Sequence, residues 1–335
     1  MRTAFVSGVT GQDGALLARF LLGNGYKVAG SSREPDDQSR HWRLQSMGIL
    51  SELTLIPQSR EKSSVMDEFE PEEVYNLEGQ SSVAASFKSP HETIASNGLS
   101  TLDWLESIRK KGSQTRFYQA SSSEIFGASD AFSRDETSKF HPRSPYAVSK
   151  LFSHFSTVNY REAYGLYACS GILFNHESPY RGEAFVTQKI TTHAAKWKQG
   201  DHSPLVMGNI HVKRDWGHAE DFVRGMHAML QQEVASDYVL ATGVLHSVKD
   251  FIEVAFGLAG AKLDWSGEGL TEKATDRISG KTCVEISAEF FRPADMEQSL
   301  GNPIKALNSL GWKPTVPFEK IVEEMVESHL SGTSS

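Results

Sequence analysis

Short apolar runs alternate with segments of helical periodicity through the first half of the chain. The runs that predict buried strands cover residues 3–7, 26–31, 53–57, 73–77, 116–121 and 167–174. The clearest segments with an apolar stripe at helical spacing cover residues 14–24, 91–111 and 145–164. This alternation predicts an α/β fold in which a doubly wound parallel sheet carries helices on both faces.

The alternation becomes less regular after residue 174. Helical patterns return over residues 185–199, 218–232, 248–259 and 317–330, with a strand pattern at 238–241. The segment 260–281 is rich in Gly, Lys and Asp, and we predict that it is a surface excursion.

This change of pattern predicts two lobes. The larger lobe takes residues 1–175 and also receives 212–244, where strand and helix patterns resume. The smaller, C-terminal α/β lobe takes residues 176–211 and 245–330, and the chain ends in a tail at 331–335. A length of 335 residues is sufficient for such a pair of lobes.

Composition narrows the classes of partner and compartment. The net charge of −8 argues against nucleic acid or an anionic membrane surface as the main partner. The start of the chain leads into a strand pattern rather than a signal peptide, and we expect no membrane-spanning helix. The two cysteines, Cys169 and Cys283, lack metal-ligand spacing, which favours a cytoplasmic protein without a metal site.

Three glycines follow the first predicted strand at intervals of three residues. Gly8, Gly11 and Gly14 connect this strand to the first predicted helix. Glycine permits a tight turn and close backbone approach, and the N-terminus of the following helix favours an anionic group. In a Rossmann-type sheet this arrangement predicts a site for the pyrophosphate of a dinucleotide.

The residues after the second predicted strand bear on which dinucleotide binds. Arg33 lies where an acidic residue would normally hold the ribose of NAD, and an arginine there favours the 2′-phosphate of NADP. Glu34, Asp36 and Asp37 follow at once, and their charge opposes a phosphate. The residues therefore favour NADP and leave NAD open.

Four side chains carry the chemistry of a hydride and proton transfer. Tyr146 and Lys150 lie one turn apart on a predicted helix, so they share a face, and the lysine cation lowers the pKa of the phenol. Ser122 and Glu124 follow a predicted strand, whose carboxyl end opens into the ligand crevice of this architecture. Ser122 would bond a substrate hydroxyl, whereas Glu124 is an acid–base group that simple hydride transfer does not need.

Several cations and one histidine are further candidates for ligand contacts. Arg181, Arg214 and Arg292 lie in loop-like segments and suit a diphosphate, although each also suits a surface ion pair. His176 follows a strand and suits a ribose or a nicotinamide amide, or else a structural hydrogen bond.

Longer stretches resemble the GDP-mannose 4,6-dehydratases, extended members of the short-chain dehydrogenase/reductase superfamily. The matching runs are GVTGQDG at 8–14, QASSSE at 119–124, PRSPYAVSK at 142–150, VNYREAYG at 158–165, GILFNHESPYRG at 171–182, FVTQKI at 185–190, KRDWGH at 213–218, ATGVLHS at 241–247 and FRP at 291–293. FNHESP together with KRDWGH indicates a GDP-sugar rather than a UDP- or dTDP-sugar.

The resemblance implies an N-terminal NADP-binding lobe, a C-terminal lobe for the nucleotide sugar, and a homodimer or homotetramer. It implies catalytic roles for Ser122, Glu124, Tyr146 and Lys150. The implied cofactor contacts are Gly8, Thr10, Gly11, Gln12, Asp13, Gly14, Arg33, Leu77, Gln80, Tyr146, Lys150, His176 and Arg181. The implied contacts to the GDP-hexose are Ser81, Ser86, Asn175, Val186, Lys189, Arg214 and Arg292.

Some positions depart from the family pattern. Ser122 replaces a threonine and keeps its hydroxyl, whereas Glu78 replaces a glycine or alanine and places a carboxylate near the cofactor. Residues 57–59 read Pro-Gln-Ser where the family has Gly-Asp-Leu to hold adenine. The acidic residues after Arg33 replace a second arginine and serines. A diverged paralogue acting on a GDP-hexose therefore remains an alternative.

The leading hypothesis is the conversion of GDP-mannose to GDP-4-keto-6-deoxymannose. Tyr146, tuned by Lys150, takes the C4 hydroxyl proton as hydride leaves C4, and Glu124 removes the C5 proton and helps water leave from C6. The alternatives are a GDP-sugar epimerase or a 4-keto reductase on the same scaffold. A non-catalytic cofactor sensor is a further alternative, against which the intact set of four side chains argues.

Overall fold

The computed structural model describes residues 1–127, 132–290 and 297–332. Its strands are β1 (Thr3–Ser7), β2 (Lys27–Ser32), β3 (Thr54–Pro57), β4 (Glu73–Asn76), β5 (Arg116–Ala120), β6 (Ala168–Leu173), β7 (Asn175–Glu177), β8 (Leu205–Met207), β9 (Lys213–Arg214), β10 (Trp216–His218), β11 (Tyr238–Leu240), β12 (His246–Ser247), β13 (Leu263–Ser266), β14 (Lys273–Asp276), β15 (Thr282–Ile286) and β16 (Gln298–Ser299). Its α-helices are α1 (Gln12–Gly23), α2 (Trp42–Ser46), α3 (Lys62–Phe69), α4 (Val83–Lys88), α5 (Pro90–Ile94), α6 (Ser100–Lys111), α7 (Pro145–Tyr164), α8 (Val186–Lys198), α9 (Ala219–Leu230), α10 (Val248–Leu258), α11 (Ile304–Leu310) and α12 (Phe318–Leu330).

The described chain divides into two compact units. The first takes its residues from Met1–Phe174, Ala219–Thr242 and Gly301–Pro314. The second takes its described residues from Asn175–His218, Gly243–Leu300 and Thr315–Ser335.

The predicted boundaries differ from these units by one or two residues at 175 and 243–244, and by longer segments at 212–218 and 301–314. Residues 212–218 lie in the second unit because β9 pairs with β12 and β16, and β10 pairs with β7. Gly301–Pro314 lies in the first unit, where the Trp312 indole donates a hydrogen bond of 2.7 Å to the Asp221 carbonyl in α9. In both cases contacts between residues distant in sequence determine the unit to which the segment belongs, and local periodicity does not reveal such contacts.

A seven-stranded parallel sheet forms the centre of the first unit. Its strand order is β11-β6-β5-β4-β1-β2-β3, and every described pairing is parallel. The order reverses between β1 and β4, so the connections on either side of this point run in opposite directions. The predicted doubly wound, Rossmann-type α/β fold is confirmed, and the reversal marks the place where such sheets bind ligands.

A hydrophobic cluster joins these strands to α3, α6 and α7. It includes Phe5, Val74, Trp104, Phe117 and Tyr160, all of them buried. Burial of such a side chain contributes about 1.5–3 kcal/mol, so the strand interiors, rather than the loops, stabilise the sheet. The polar residues at the strand ends are consequently available for ligands.

The long helix predicted over residues 91–111 is interrupted. The α-helical hydrogen bonds stop at Ile94, a π-helical turn spans Ala95–Leu99, and α6 begins at Ser100. Within this turn the Asn97 amide donates to the Gln80 carbonyl (3.1 Å) and to the Ser149 hydroxyl (3.0 Å). These side-chain bonds to other parts of the first unit accompany the widened turn, which apolar periodicity alone did not reveal.

The predicted surface excursion at 260–281 is instead part of a sheet in the second unit. β13 and β14 form an antiparallel pair, and the sheet continues through β15 to β8. Ala274 and Asp276 are buried on β14, and the Asp276 carboxylate accepts bonds from the backbone amides of Lys262 and Ser279. The strands β13 and β14 have only four residues each, and the glycine- and lysine-rich composition around them led to the wrong prediction of a surface excursion.

Gly14→Ala is expected to destabilise the first unit by about 1–3 kcal/mol, as overpacking does. A Cβ at Gly14 would lie 2.7 Å from the Val9 Cα and closer still to the Gly8 carbonyl oxygen, and neither backbone atom can rotate away. Gly23→Ala is the matched control in the same helix, because its Cβ would meet no atom within 4 Å. Thermal unfolding of both variants tests this, and a wild-type midpoint for Gly14→Ala would contradict it.

Candidate active site

The glycine turn after β1 rests against the neighbouring strand ends. Gly8 adopts a φ of 75°, and the amides of Gly8 and Val9 both donate to the Ser31 carbonyl at 3.1 Å. A Cβ at Gly8 would lie 3.0 Å from the Leu77 carbonyl oxygen and from the Glu78 amide. The turn therefore requires glycine, and it delivers the chain to the N-terminus of α1, where an anionic group is favoured.

Helix α7 brings Tyr146 and Lys150 to the end of β5. The helix begins because Pro145 follows Ser144, whose hydroxyl accepts the Ala147 amide at 3.1 Å. Both side chains are buried, with the Lys150 Nζ 5.9 Å from the centroid of the Tyr146 ring. The Lys150 ammonium donates to the Ala120 carbonyl at 2.9 Å. The pair thus lies at the carboxyl end of a central strand.

The ionisation of Lys150 is shifted by its surroundings. Burial lowers the pKa of Lys150 to about 8, and the negative charge of Asp13 in the first turn of α1 partly opposes this shift. The Gln12 side chain donates to the Asp13 carboxylate at 3.0 Å. The glycine motif and the Tyr146–Lys150 pair are therefore coupled electrostatically.

Ser122 and Glu124 lie on the short turn that follows β5. The Ser122 hydroxyl accepts the Glu124 amide at 3.3 Å and caps the 3₁₀ turn Ser123–Ile125. Ile125 is buried, and its carbonyl accepts the His141 amide at 3.0 Å, so the turn is anchored. Helix α7 packs against this turn. The first unit therefore places Ser122, Glu124, Tyr146 and Lys150 around the end of β5.

The loop after β2 contains paired as well as exposed charges. Arg33 is exposed, whereas Glu34 and Asp37 both lie near the Arg40 guanidinium, at 2.5 and 3.4 Å. The acidic charge that opposed a phosphate is thus partly neutralised within the loop.

Arg43 is a residue that the sequence analysis missed. Its guanidinium donates to the Thr10 carbonyl at 3.2 Å and lies 4.4 Å from the centroid of the Trp42 ring. The hydroxyl oxygen of Thr10 in turn lies 3.5 Å from the hydroxyl oxygen of Ser32 at the end of β2. No local motif marked Arg43, because its approach to the glycine turn arises from the fold.

The remaining residues expected near β4 occupy different environments. The Leu77 amide donates to the Ser7 carbonyl at 3.2 Å, and the Gln80 amide group donates to the Ser82 carbonyl at 2.7 Å. Ser81 is exposed, whereas Ser86 is buried and its hydroxyl donates to the Val83 carbonyl at 2.6 Å. The Ser86 hydroxyl is thus already engaged within α4.

Several buried polar atoms fit a bound dinucleotide. The hydroxyls of Ser31 and Ser121 and the side-chain oxygen of Asn97 have no hydrogen-bond partner among the described residues. Buried polar atoms are normally satisfied. Ser31 lies near the end of β2, which pairs with β1, and Ser121 follows β5, which pairs with β4. Together with the glycine cradle, these atoms suit a polar ligand at the carboxyl edge of the sheet.

In the second unit a carboxylate and a ring orient Arg181. Glu177 at the end of β7 is buried, lies 3.2 Å from the Arg181 Nε, and accepts the Thr187 hydroxyl at 2.7 Å. The Arg181 guanidinium lies 3.6 Å from the centroid of the Phe185 ring. His176 precedes Glu177 and is buried. Glu177, which the sequence analysis did not select, was detectable only as part of FNHESP.

Lys189 and Arg214 are also held by their neighbours in the second unit. The Lys189 ammonium donates to the Val206 carbonyl at 2.6 Å and lies 4.1 Å from the Phe290 ring centroid, and desolvation lowers its pKa. Arg214 lies on β9, the middle strand between β12 and β16. Asn175 and Val186 are half-buried at the starts of β7 and α8. Arg292 lies outside the described residues.

Within the described ranges, no group of three or more His, Cys, Asp or Glu side chains is arranged to hold a metal ion. No described helix is long and apolar enough to span a bilayer.

Comparisons with known proteins identify the family of this chain and relatives of its fold. The family model for GDP-mannose 4,6 dehydratase matches residues 5–325. The GDP-mannose 4,6-dehydratase of Vibrio cholerae serotype O1 is 42% identical, covering 100% of this chain and 95% of that protein.

Two solved structures share the fold. The structure of RMD from Pseudomonas aeruginosa complexed with NADPH has a TM-score of 0.75 at 21% identity, covering 99% of this chain and 100% of that one. The UDP-glucuronic acid 4-epimerase from Bacillus cereus, in complex with UDP-glucuronic acid and NAD, has a TM-score of 0.82 at 19% identity, covering 98% and 99%. The resemblance noted in the sequence is thereby confirmed, and the chain belongs to the GDP-mannose 4,6-dehydratase family.

Proposed function

We propose that the protein converts GDP-mannose to GDP-4-keto-6-deoxymannose, a dehydration catalysed by an enzyme of the hydro-lyase type. The observation that carries this proposal is the position of Glu124. It lies on the same turn as Ser122, at the strand end whose Ala120 carbonyl accepts the Lys150 ammonium. A carboxylate beside a Ser, Tyr and Lys set adds the acid–base group that elimination of water requires.

Tyr146 and Lys150 act first, on the C4 hydroxyl of the sugar. Tyr146 takes the hydroxyl proton, the Lys150 cation favours the phenolate form, and the Ser122 hydroxyl bonds the C4 oxygen. When bound, the nicotinamide would supply a hydride acceptor at C4 and a hydride donor at C6, without net consumption of cofactor.

Glu124 acts next, on C5 and C6. A ketone at C4 makes the C5 hydrogen acidic, so the Glu124 carboxylate removes it as a proton and then protonates the departing C6 hydroxyl. The protons balance. The sugar loses one proton from the C4 hydroxyl and one from C5. One proton then joins the departing C6 hydroxyl to form water, and one returns to C5 when the hydride is delivered to C6. An acid–base group of this kind contributes about 10²–10⁴-fold to the rate.

The cofactor contacts that we propose centre on Gly8, Gly11 and Gly14, with NADP as the dinucleotide and NAD as the alternative. Two observations support NADP. Arg33 is exposed beyond β2, and Arg43 approaches the glycine turn through the Thr10 carbonyl. Both cations suit a 2′-phosphate.

The GDP moiety is proposed to bind to the second unit. Its support is Lys189, a cation whose position is defined by its hydrogen bond to the Val206 carbonyl. Arg181, held by Glu177, is instead proposed as a cofactor contact. Preorganised cations lose little entropy when a diphosphate binds. The roles of Asn175, Val186, Arg214 and Arg292 stay predictions.

We also infer that the chain forms a homo-oligomer through an apolar face of the first unit. This phenylalanine face consists of Phe87 on α4, Ile94, Leu99, and Val148, Phe152 and Phe155 on α7, all with more than 40% of their surface exposed. The three α7 residues share one side of the helix. Exposed apolar patches of this kind mark interfaces, and a second copy offers a matching face in an isologous dimer.

A cytoplasmic location completes the proposal. Cys169 and Cys283 are both buried free thiols, as expected in a reducing compartment. Burial raises the pKa of each thiol to about 12, which keeps both unreactive.

Incubation with GDP-mannose and NADP⁺ is expected to yield a product lighter by one water, detected by mass spectrometry, with no net change in NADPH absorbance. Glu124→Gln should slow product formation about 10²–10⁴-fold without changing the Kd for NADPH, because only the acid–base step is lost. Glu285→Gln, at an exposed position on β15, is the matched control. Wild-type turnover by Glu124→Gln would exclude its role, and stoichiometric use of NADPH would favour a 4-keto reductase.

Lys150→Met is expected to abolish turnover yet raise the midpoint of thermal unfolding at pH 7. The folded-state pKa of about 8 lies below the ordinary value of 10.5, so burial of the cation destabilises the fold at neutral pH. This penalty declines as the pH rises through 8 towards 10.5, so the advantage of the variant should narrow. Exposed Lys198→Met is the control, and a pH-independent advantage would contradict this account.

Phe155→Glu is expected to convert the oligomer to smaller species, because a carboxylate would be buried in the phenylalanine face. Light scattering coupled to size exclusion measures the mass. Leu270→Glu, at a leucine of the second unit with 58% exposure, should leave the mass unchanged. A wild-type mass for Phe155→Glu would place the interface elsewhere.

A further inference from the structure

A buried ion pair lies at the end of β4. Glu78 follows this strand by two residues and is 3% exposed, and Lys62, the first residue of α3, is 9% exposed. The Lys62 Nζ lies 3.0 and 3.3 Å from the two carboxylate oxygens of Glu78. The Ser100 hydroxyl at the start of α6 donates to the same carboxylate. Removing two charges from water is expensive, so such a pair is weak evidence of a purely stabilising role.

The backbone of Glu78 packs against the glycine turn. The Cβ position of Gly8 is 3.0 Å from both the amide nitrogen and the Cα of Glu78. Burial raises the pKa of Glu78, whereas Lys62 and the Ser7 side chain act to lower it. Ser7 and Gly8 connect β1 to the turn at which a Rossmann-type sheet holds the pyrophosphate of a dinucleotide.

Lys62 also connects the ends of β3 and β4. Its ammonium lies 3.3 Å from the carbonyl oxygen of Gln58, the residue after β3, as well as bonding Glu78 after β4. It lies 5.1 Å from the centroid of the buried Trp104 ring, and Lys62 itself is 9% exposed. The fixed position of Lys62 therefore depends on both strand ends and not on solvent.

The charges in this region have opposite effects on an anionic ligand. An isolated carboxylate near the glycine turn would repel a pyrophosphate, and an isolated ammonium would attract it, since low dielectric strengthens both effects. The charge of Asp103 also acts to raise the pKa of Glu78, whereas Lys62 acts to lower it, so Lys62 is the cation that balances the carboxylate. The pair as a whole is close to neutral.

We propose that the Lys62–Glu78 ion pair is a positioning and charge-balancing element of the dinucleotide site, in which Lys62 cancels the repulsion of Glu78 and so sets the affinity for the anionic cofactor. The inference rests on the proposed dinucleotide cofactor.

The single variants should shift cofactor affinity in opposite directions. Lys62→Met leaves the carboxylate unbalanced and is expected to raise the Kd for NADPH and NADH about three- to tenfold. Glu78→Gln leaves the ammonium unbalanced and is expected to lower both Kd values by a similar factor. The double variant should return close to the wild-type Kd, because neither charge remains.

Titration of the protein with NADPH and with NADH, followed by the fluorescence of the dinucleotide at low and high salt, measures these shifts. Salt should reduce them, since they arise from charge. A purely structural pair predicts instead that both single variants lose stability and weaken binding together. Thermal unfolding reports the stability of each variant separately from its Kd.

The exposed pair Arg60–Glu68 is the matched control on the same segment, with side chains 36% and 46% exposed. Arg60→Met and Glu68→Gln should leave both Kd values unchanged. Shifts of Lys62→Met and Glu78→Gln in the same direction, or no shift in either, would overturn the inference. If the wild-type protein bound neither dinucleotide, the proposed function itself would fail.

Discussion

The close approach of the turn after β1 to the end of β4 is the constraint on which the site depends. The order of the central sheet reverses between these two strands, so their carboxyl ends border the same crevice. Gly8 fits there only without a side chain, because the backbone of Leu77 and Glu78 occupies the space. The position of α1, the carboxylate of Asp13 and the chain after β4 all follow from this contact. An insertion or a Cβ at this point would therefore disturb the binding and the catalytic groups together.

Buried charges with specific partners recur across the molecule. Lys150 is held by a backbone carbonyl, Glu78 by Lys62, and Arg181 by Glu177. In each case burial strengthens the interaction and restricts the side chain to one orientation. Such arrangements contribute little net stability, but they bring charges to defined positions before a ligand arrives. The charged groups with defined positions are thus buried side chains held by the fold, rather than mobile groups on the surface.

The sequence predicted the sheet and α7 well, for identifiable physical reasons. Buried strands produced continuous apolar runs, and α7 was predicted over its observed bounds because Pro145 begins it and Gly165, at a φ of 68°, ends it. The π-helical turn at Asn97 and the pairing of β13 with β14 were not predicted, since both depend on partners distant in sequence. The same limit applies to the candidate site. Glu78 was recognisable as an unusual carboxylate, but its partner Lys62 was not, because only the fold brings α3 to the end of β4.

The interleaving of the two units in the chain has a consequence for synthesis on the ribosome. The first unit lacks β11 and α9 until residue 242 has been made, and α11 until residue 314. A nascent chain that ends near Phe174 exposes the edge of β6, to which β11 later pairs. An open strand edge is a template for association with other chains. The first unit therefore cannot be completed before most of the second unit has been synthesised.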